Sequence, residues 1–256
     1  MVLKMETPSQ EGKYIYCIIS TNQPKTFGEH GIGGRGDELY TVCFNDIAAV
    51  VSNSPIINYP ISKVNMLSHT MAIEVVMREY TVLPVRFSTI AEDEEKVKKI
   101  LEMEYDKFKS LLNKLADKKE IGLKTLFIEN EIYKYILEKD KDIKALKEKL
   151  EGSKAYNKLV EVGRMVENAL NKEKDISNDD FLKTLSPLAE QININKVYGE
   201  LMILNAAFLV EKNKEAEFDH KVHELDERYG DKIRFKYIDT VPPFNFVNLV
   251  IETGKY

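Results

Sequence analysis

The sequence predicts an α+β protein of two domains. Residues 1–118 form an N-terminal ferredoxin-like antiparallel sheet with helices on one face, and residues 119–256 form a second α+β domain that includes a charged helical segment over 129–190. Three observations lead there. The hydrophobic period of the first half runs strand, strand, helix, strand, helix. The second half again reads strand, helices, strand, helix and two strands. A chain of 256 residues, 43% hydrophobic and 31% charged, has the composition of a globular protein and the length of two ordinary domains.

Met1 to Gly12 mixes charge and polarity without the apolar core of a secretory signal and reads as a frayed tail. Tyr14 to Ser20 is aromatic and β-branched on both alternating faces, as expected of a strand near a sheet centre. The glycines between Gly28 and Gly36 permit positive φ and close backbone approach. A phosphate cradle would need a helix directly after them. Leu39 to Val51 reads instead as another strand, which favours a plain connection. Ile61 to Tyr80 carries Val64, Leu67, Met71 and Val75 at helical spacing and is expected to be largely buried, with its methionines in the core. His69 on that helix has no cysteine or second histidine nearby and reads as a structural histidine.

Thr81 to Thr89 is a short β-branched and aromatic run that reads as a strand. Pro84 cannot donate to a ladder, so it belongs at a strand start, an edge or a bulge. Arg86, between Val85 and Phe87, must reach solvent, a carboxylate or a partner, because an unpaired buried charge costs too much. Ala91 to Lys118 reads as one amphipathic helix bearing Val97, Leu101, Phe108 and Leu112, with acidic residues in its first turns.

Glu120 to Ile128 alternates as a strand and opens the second domain. Glu129 to Leu170 is helical and charged, a solvated hairpin with a break at Gly152-Ser153. Asn171 to Asp180 reads as a linker, and a short helix follows through Leu185 until Pro187 ends it. Tyr198 to Glu211 is a strand, and Lys212 to Tyr229 an amphipathic helix stopped by Gly230. Its His220 and His223 lack a third ligand nearby and read as solvent-facing. Ile233 to Ile238 is a strand, Pro242-Pro243 stiffens a turn, and Phe244 to Ile251 returns as a last strand. The second half could be a diverged repeat of the first, although no residue-level repeat is visible.

The net charge of -5 is interspersed, so neither nucleic acid nor a lipid membrane is an expected partner. The longest apolar run, Leu201 to Val210, falls short of a bilayer span, and the chain is expected to be cytosolic. Cys17 and Cys43 read as small buried hydrophobes. No Ser/His/Asp or Cys/His set, carboxylate pair or metal spacing occurs, so no catalytic residue, cofactor or metal site is assigned.

Three stretches carry a resemblance: Leu83-Pro84-Val85-Arg86-Phe87-Ser88-Thr89, Asn205-Ala206-Ala207-Phe208-Leu209-Val210, and Pro242-Pro243-Phe244-Asn245-Phe246-Val247. With Tyr14-Ile15-Tyr16, the Gly31-Ile32-Gly33-Gly34 loop and His69 in the same order, the chain resembles the GvpL/GvpF family of gas vesicle proteins over nearly its whole length. It departs from the family pattern at Ser88, where glycine is usual, and at Asp239-Thr240-Val241, where glycine-proline-tryptophan is usual. The resemblance implies a ferredoxin-like N-terminal domain and a nonenzymatic role in gas vesicle assembly. The partners it implies are the small hydrophobic shell protein and other gas vesicle accessory proteins. The location would be the gas vesicle within the cytoplasm, as an assembly factor or a minor component of the vesicle.

Shell subunits that face gas expose apolar surface that must be covered before assembly. A sheet edge or apolar groove would do so, with Arg86, Phe87, Pro242, Pro243, Phe244 and Phe246 as candidate contacts. The alternative is a ferredoxin-like small-molecule sensor or enzyme using the Gly31 to Gly36 loop with Arg35.

Overall fold

The computed structural model describes residues 10–150 and 156–255. The expected tail therefore lies largely outside the described residues, and so does the Gly152-Ser153 break. The chain divides into two compact units, Met1–Lys119 together with Val241–Tyr256, and Glu120–Thr240. The last segment, which the sequence assigned to the second domain, thus groups with the first unit.

In the first unit, β1 (Glu11–Ile19), β2 (Tyr40–Phe44), β3 (Ile47–Pro55) and β4 (Val82–Pro84) form an antiparallel sheet in the order β2-β3-β1-β4, with β5 (Ile90–Ala91) pairing the start of β1. First and third strands adjacent at the centre are what a split β-α-β arrangement produces. The expected single strand Leu39 to Val51 is in fact a hairpin. Phe44 pairs Ile47 across Asn45-Asp46, and Asn45 takes φ 51°, a left-handed turn conformation that asparagine tolerates. The period of two hid the turn because apolar residues flank it on both sides.

The second crossover is α1 (Lys63–Met77), capped by the Ser62 side chain, which accepts from the Asn65 N–H. The first crossover has no α-helix. The glycine-rich segment, with a 3-10 turn at Ile32–Gly34, packs beside α1, and Ile32 is fully buried. The buried face of α1 is His69, Ala72, Ile73 and Val76, clustered with Tyr14, Tyr16, Cys17 and Ile19 of β1. The stripe expected to be core is therefore turned outward, with Val64, Leu67 and Met71 exposed. Ile15 and Ile18, which interleave with the α1-facing residues of β1, are fully buried as well. The helices α2 (Glu94–Met103) and α3 (Tyr105–Leu115) pack against β2, β3 and β4, replacing the one expected helix with two that meet at Glu104.

The second unit repeats the strand order. β6 (Lys118–Phe127), β7 (Ala189–Ile194), β8 (Met202–Glu211) and β9 (Ile233–Val241) lie as β7-β8-β6-β9, again second, third, first, fourth in chain order. Its first crossover is helical: α4 (Glu129–Lys139), α5 (Lys141–Leu150) and α6 (Tyr156–Leu185). Its second is α7 (Glu215–Tyr229), ended at Gly230 with φ 51°. The expected linker Asn171 to Asp180 lies inside α6. Leu170, Ser177, Phe181 and Leu185 are buried along one helical face, and the small polar Ser177 disguised that face in the sequence. Strand β7 went unread because Ala189-Glu190-Gln191-Ile192-Asn193-Ile194 is polar and only half-buried, pairing antiparallel with β8 at the sheet edge. The family-like stretch Asn205 to Val210 is the buried core of β8.

Candidate functional site

The two other family-like stretches meet in the first unit. Strand β4 ends at Pro84, at the sheet edge, where its missing N–H leaves no ladder bond unmade. The strand expected over Thr81 to Thr89 stops there. Val85 continues by donating its N–H to Tyr16 O at 2.9 Å and bridging Leu249 in parallel, and Arg86 donates its N–H to Leu249 O at 3.2 Å. The expected return strand Phe244 to Ile251 is reduced to that bridge. Its start is wound into a turn in which Phe246 and Val247 donate their N–H groups to Pro243 O. A turn closing on Pro243 costs no donor, because the two prolines have none to lose.

Between these segments and α1 runs a groove of about 360 Å³, lined by Met66, His69, Thr70, Pro84, Val85, Arg86, Phe87, Phe244, Val247, Asn248 and Leu249. Of the candidate contacts, Arg86, Phe87 and Phe244 come together here. Arg86 is exposed, with no side-chain partner among the described residues, Phe87 is half-buried, and Phe244 is 42% exposed. Phe246 is half-buried outside the lining, and Pro242 and Pro243 are buried and shape the turn. Met66, expected in the core with the other methionines of the helix, and Val247, in the third family-like stretch, line the groove beside the candidate contacts. Met66 sits one helical turn before His69 on α1, which is the signal that could have found it.

His69 forms the floor of the groove. Its ring lies 5.7 Å from Phe87, 5.8 Å from Tyr16 and 6.5 Å from Phe244, centroid to centroid. The Ser88 N–H donates to the Tyr14 hydroxyl at 2.8 Å, so that hydroxyl donates onward to His69 Nδ1 at 3.1 Å, and Nε2–H donates to Val85 O at 3.2 Å. Both ring nitrogens are thus engaged with the imidazole neutral, and burial pushes its pKa down to about 4. Burial likewise pushes the Tyr14 hydroxyl up, and Tyr16 up to about 12. Ser88 takes φ 64°, the left-handed conformation in which glycine is unstrained, which gives a physical reason for the family's usual glycine there.

The glycine-rich loop is occupied by its own protein. The Ile32 N–H donates to the Tyr16 hydroxyl at 2.7 Å, and Arg35 pairs with Glu11 and Asp37, each at 3.0 Å. At Gly31 a Cβ would lie 2.7 Å from Asp37 O, so its glycine serves close packing. Strand β2 follows the loop, not a helix whose N-terminus could face a phosphate. In the second unit His220 and His223 are exposed and pair with Glu224 and Glu227 one turn on. Among the described residues no cluster of three or more His, Cys, Asp or Glu could hold a metal, and no helix is long and apolar enough to cross a membrane.

Comparison with known proteins agrees with this architecture. The crystal structure of gas vesicle protein GvpF from Anabaena sp. PCC7120 matches with a TM-score of 0.79 at 24% identity, covering 93% of this chain and 99% of that one. That of GvpF from Microcystis aeruginosa matches at 0.72 and 23% identity. In sequence, gas vesicle protein F of Dolichospermum flosaquae is 26% identical over 240 residues, covering 92% of this chain and 97% of that protein. Gas vesicle protein F2 of Halobacterium salinarum is 22% identical over 246 residues, covering 95% of each. The family model described as gas vesicle synthesis protein GvpL/GvpF matches residues 12–248, and the chain therefore belongs to the GvpL/GvpF family of gas vesicle proteins.

Proposed function

We propose that this gas vesicle protein acts in vesicle assembly by holding the small hydrophobic shell protein through the groove beside β4, without catalysing a reaction. One observation carries the reading. Two segments more than 150 residues apart in the sequence but within the first unit, each bearing a family-like stretch, converge on one exposed apolar groove, with the Arg86 guanidinium, unpartnered among the described residues, at its rim. A groove of that size takes one or two large apolar side chains of a helix or strand, and Arg86 can pair with an acidic residue or a carbonyl beside them. The imidazole in its floor supports a binding role over catalysis, since both nitrogens are bound by the protein's own groups. On this reading the protein works at the gas vesicle within the cytoplasm, beside other accessory proteins of the same structure.

Co-purification with the shell protein tests it. Phe244→Ala and Arg86→Ala remove an apolar anchor and the rim charge, and both side chains are exposed enough that the fold should survive. Capture should fall at least about tenfold in the double variant. A folded double variant that retains the shell protein at the wild-type level removes the groove from the account.

A further inference from the structure

Helix α1 is apolar on two opposite sides. His69, Ala72, Ile73 and Val76 face its own unit, while Val64, Leu67 and Met71 are 72%, 50% and 52% exposed. Spaced by three and four residues, the exposed three form one straight seam, and Glu74 is the next position along it. Lys63, at the first position of the helix, and Glu74, near its last turn, have no hydrogen-bond or ion-pair partner among the described residues.

We propose that this seam is a two-fold interface between two copies of the chain, with their α1 helices antiparallel. Place the axis at the level midway between Leu67 and Met71. Leu67 of each copy then meets Met71 of the other, forming a continuous apolar strip. Lys63 lies about 9 Å to one side of that axis and Glu74 about 7.5 Å to the other, at about 1.5 Å per residue. Each Lys63 therefore comes within about 1.5 Å of the level of Glu74 of the second copy, twice over by symmetry. A basic group at one end of the seam and an acidic group at the other is the charge pattern that a self-complementary antiparallel contact requires. A parallel pairing would set like charges side by side and be opposed by them. The antiparallel arrangement also aligns the two helix dipoles favourably.

Sedimentation equilibrium on the full chain tests the interface. The wild type should show a monomer–dimer equilibrium. Leu67→Glu should weaken it at least about tenfold by burying a carboxylate in the strip. Lys63→Glu and Glu74→Lys should each weaken it, and the two together should restore it, because the swap exchanges the ends of a symmetric pair. Lys63 and Leu67 are exposed and Glu74 is half-buried outside the core cluster, so helicity should stay at the wild-type value and the melting temperature should stay close to it. A wild type that remains monomeric, a dimer unmoved by Leu67→Glu, or a double variant as weak as the single ones overturns the proposal. So does a monomer whose Leu67→Glu variant loses the shell protein instead, since the face would then belong to that partner.

Discussion

The two units share a strand order and differ in what closes the sheet. In the second unit the first crossover is three helices, and the core beneath is apolar: Phe181, Phe208, Phe218, Leu185 and Leu225 are buried together. In the first unit a glycine-rich segment stands in that place, and short backbone cannot cover a sheet with side chains alone. Polar groups finish the seal. The Tyr16 hydroxyl accepts from the Ile32 N–H and bonds Ser52 Oγ at 2.9 Å, the Ser54 and Tyr59 hydroxyls lie 2.9 Å apart, and Tyr14 ties Ser88 to His69. A buried network of this kind holds its shape only while every member is satisfied. The lesson is that one strand order can be closed by helices in one unit and by a glycine-rich segment with buried hydrogen bonds in the other. The groove lies in the unit closed by the glycine-rich segment.

That contrast can be broken from either side. The largest effect is expected in the apolar unit. Phe208→Ala, which empties a site 5.1 Å from the Phe218 ring, should cost about 3–5 kcal/mol in denaturant unfolding at any pH. Next is acid sensitivity in the other unit. His69 titrates lower in the folded protein than the ordinary 6.5, so the unfolded chain binds more protons between those values and stability falls as pH drops through that range. The loss should approach about 3 kcal/mol by pH 4. Hydrogen exchange should place it in β1, α1 and β4, and it should be absent from a folded His69→Gln variant.

Tyr16→Phe should follow. It leaves the buried Ile32 N–H without its acceptor at a cost of about 1–3 kcal/mol, read as faster exchange in the glycine-rich segment while the second unit is unchanged. The smallest is Ser88→Gly. Relief of the positive φ offsets the lost 3.3 Å bond from the Tyr59 N–H to Ser88 Oγ, and melting should shift by no more than the equivalent of about 1 kcal/mol.

The sequence carried the strands and helices whose pattern is local. Tyr14 to Ser20, Glu120 to Ile128 and Lys212 to Tyr229 could be read because alternation or helical period survives in a short window. It hid what depends on the tertiary partner. Val64, Leu67 and Met71 form a good helical stripe, yet the sheet takes the other face of α1, where the buried positions include His69 and Ala72 and so look less apolar. Phe244 to Ile251 has strand composition, but Pro243 draws the backbone into a turn before a ladder can form. The place of Arg86, Phe87 and Phe244 together could not be seen, because their nearness depends on the final segment grouping with the first unit. The buried prolines Pro242 and Pro243 shape that segment rather than lining the groove.

The claim that the groove holds the shell protein is tested most directly by site-specific photo-crosslinking with the two proteins produced together. A photoreactive residue replaces Phe244 in one sample and Leu159, an exposed apolar position on α6, in another. The account predicts an adduct with the shell protein from position 244 and little or none from position 159. Equal adducts from both positions, or none from 244 while the shell protein still co-purifies, would contradict it.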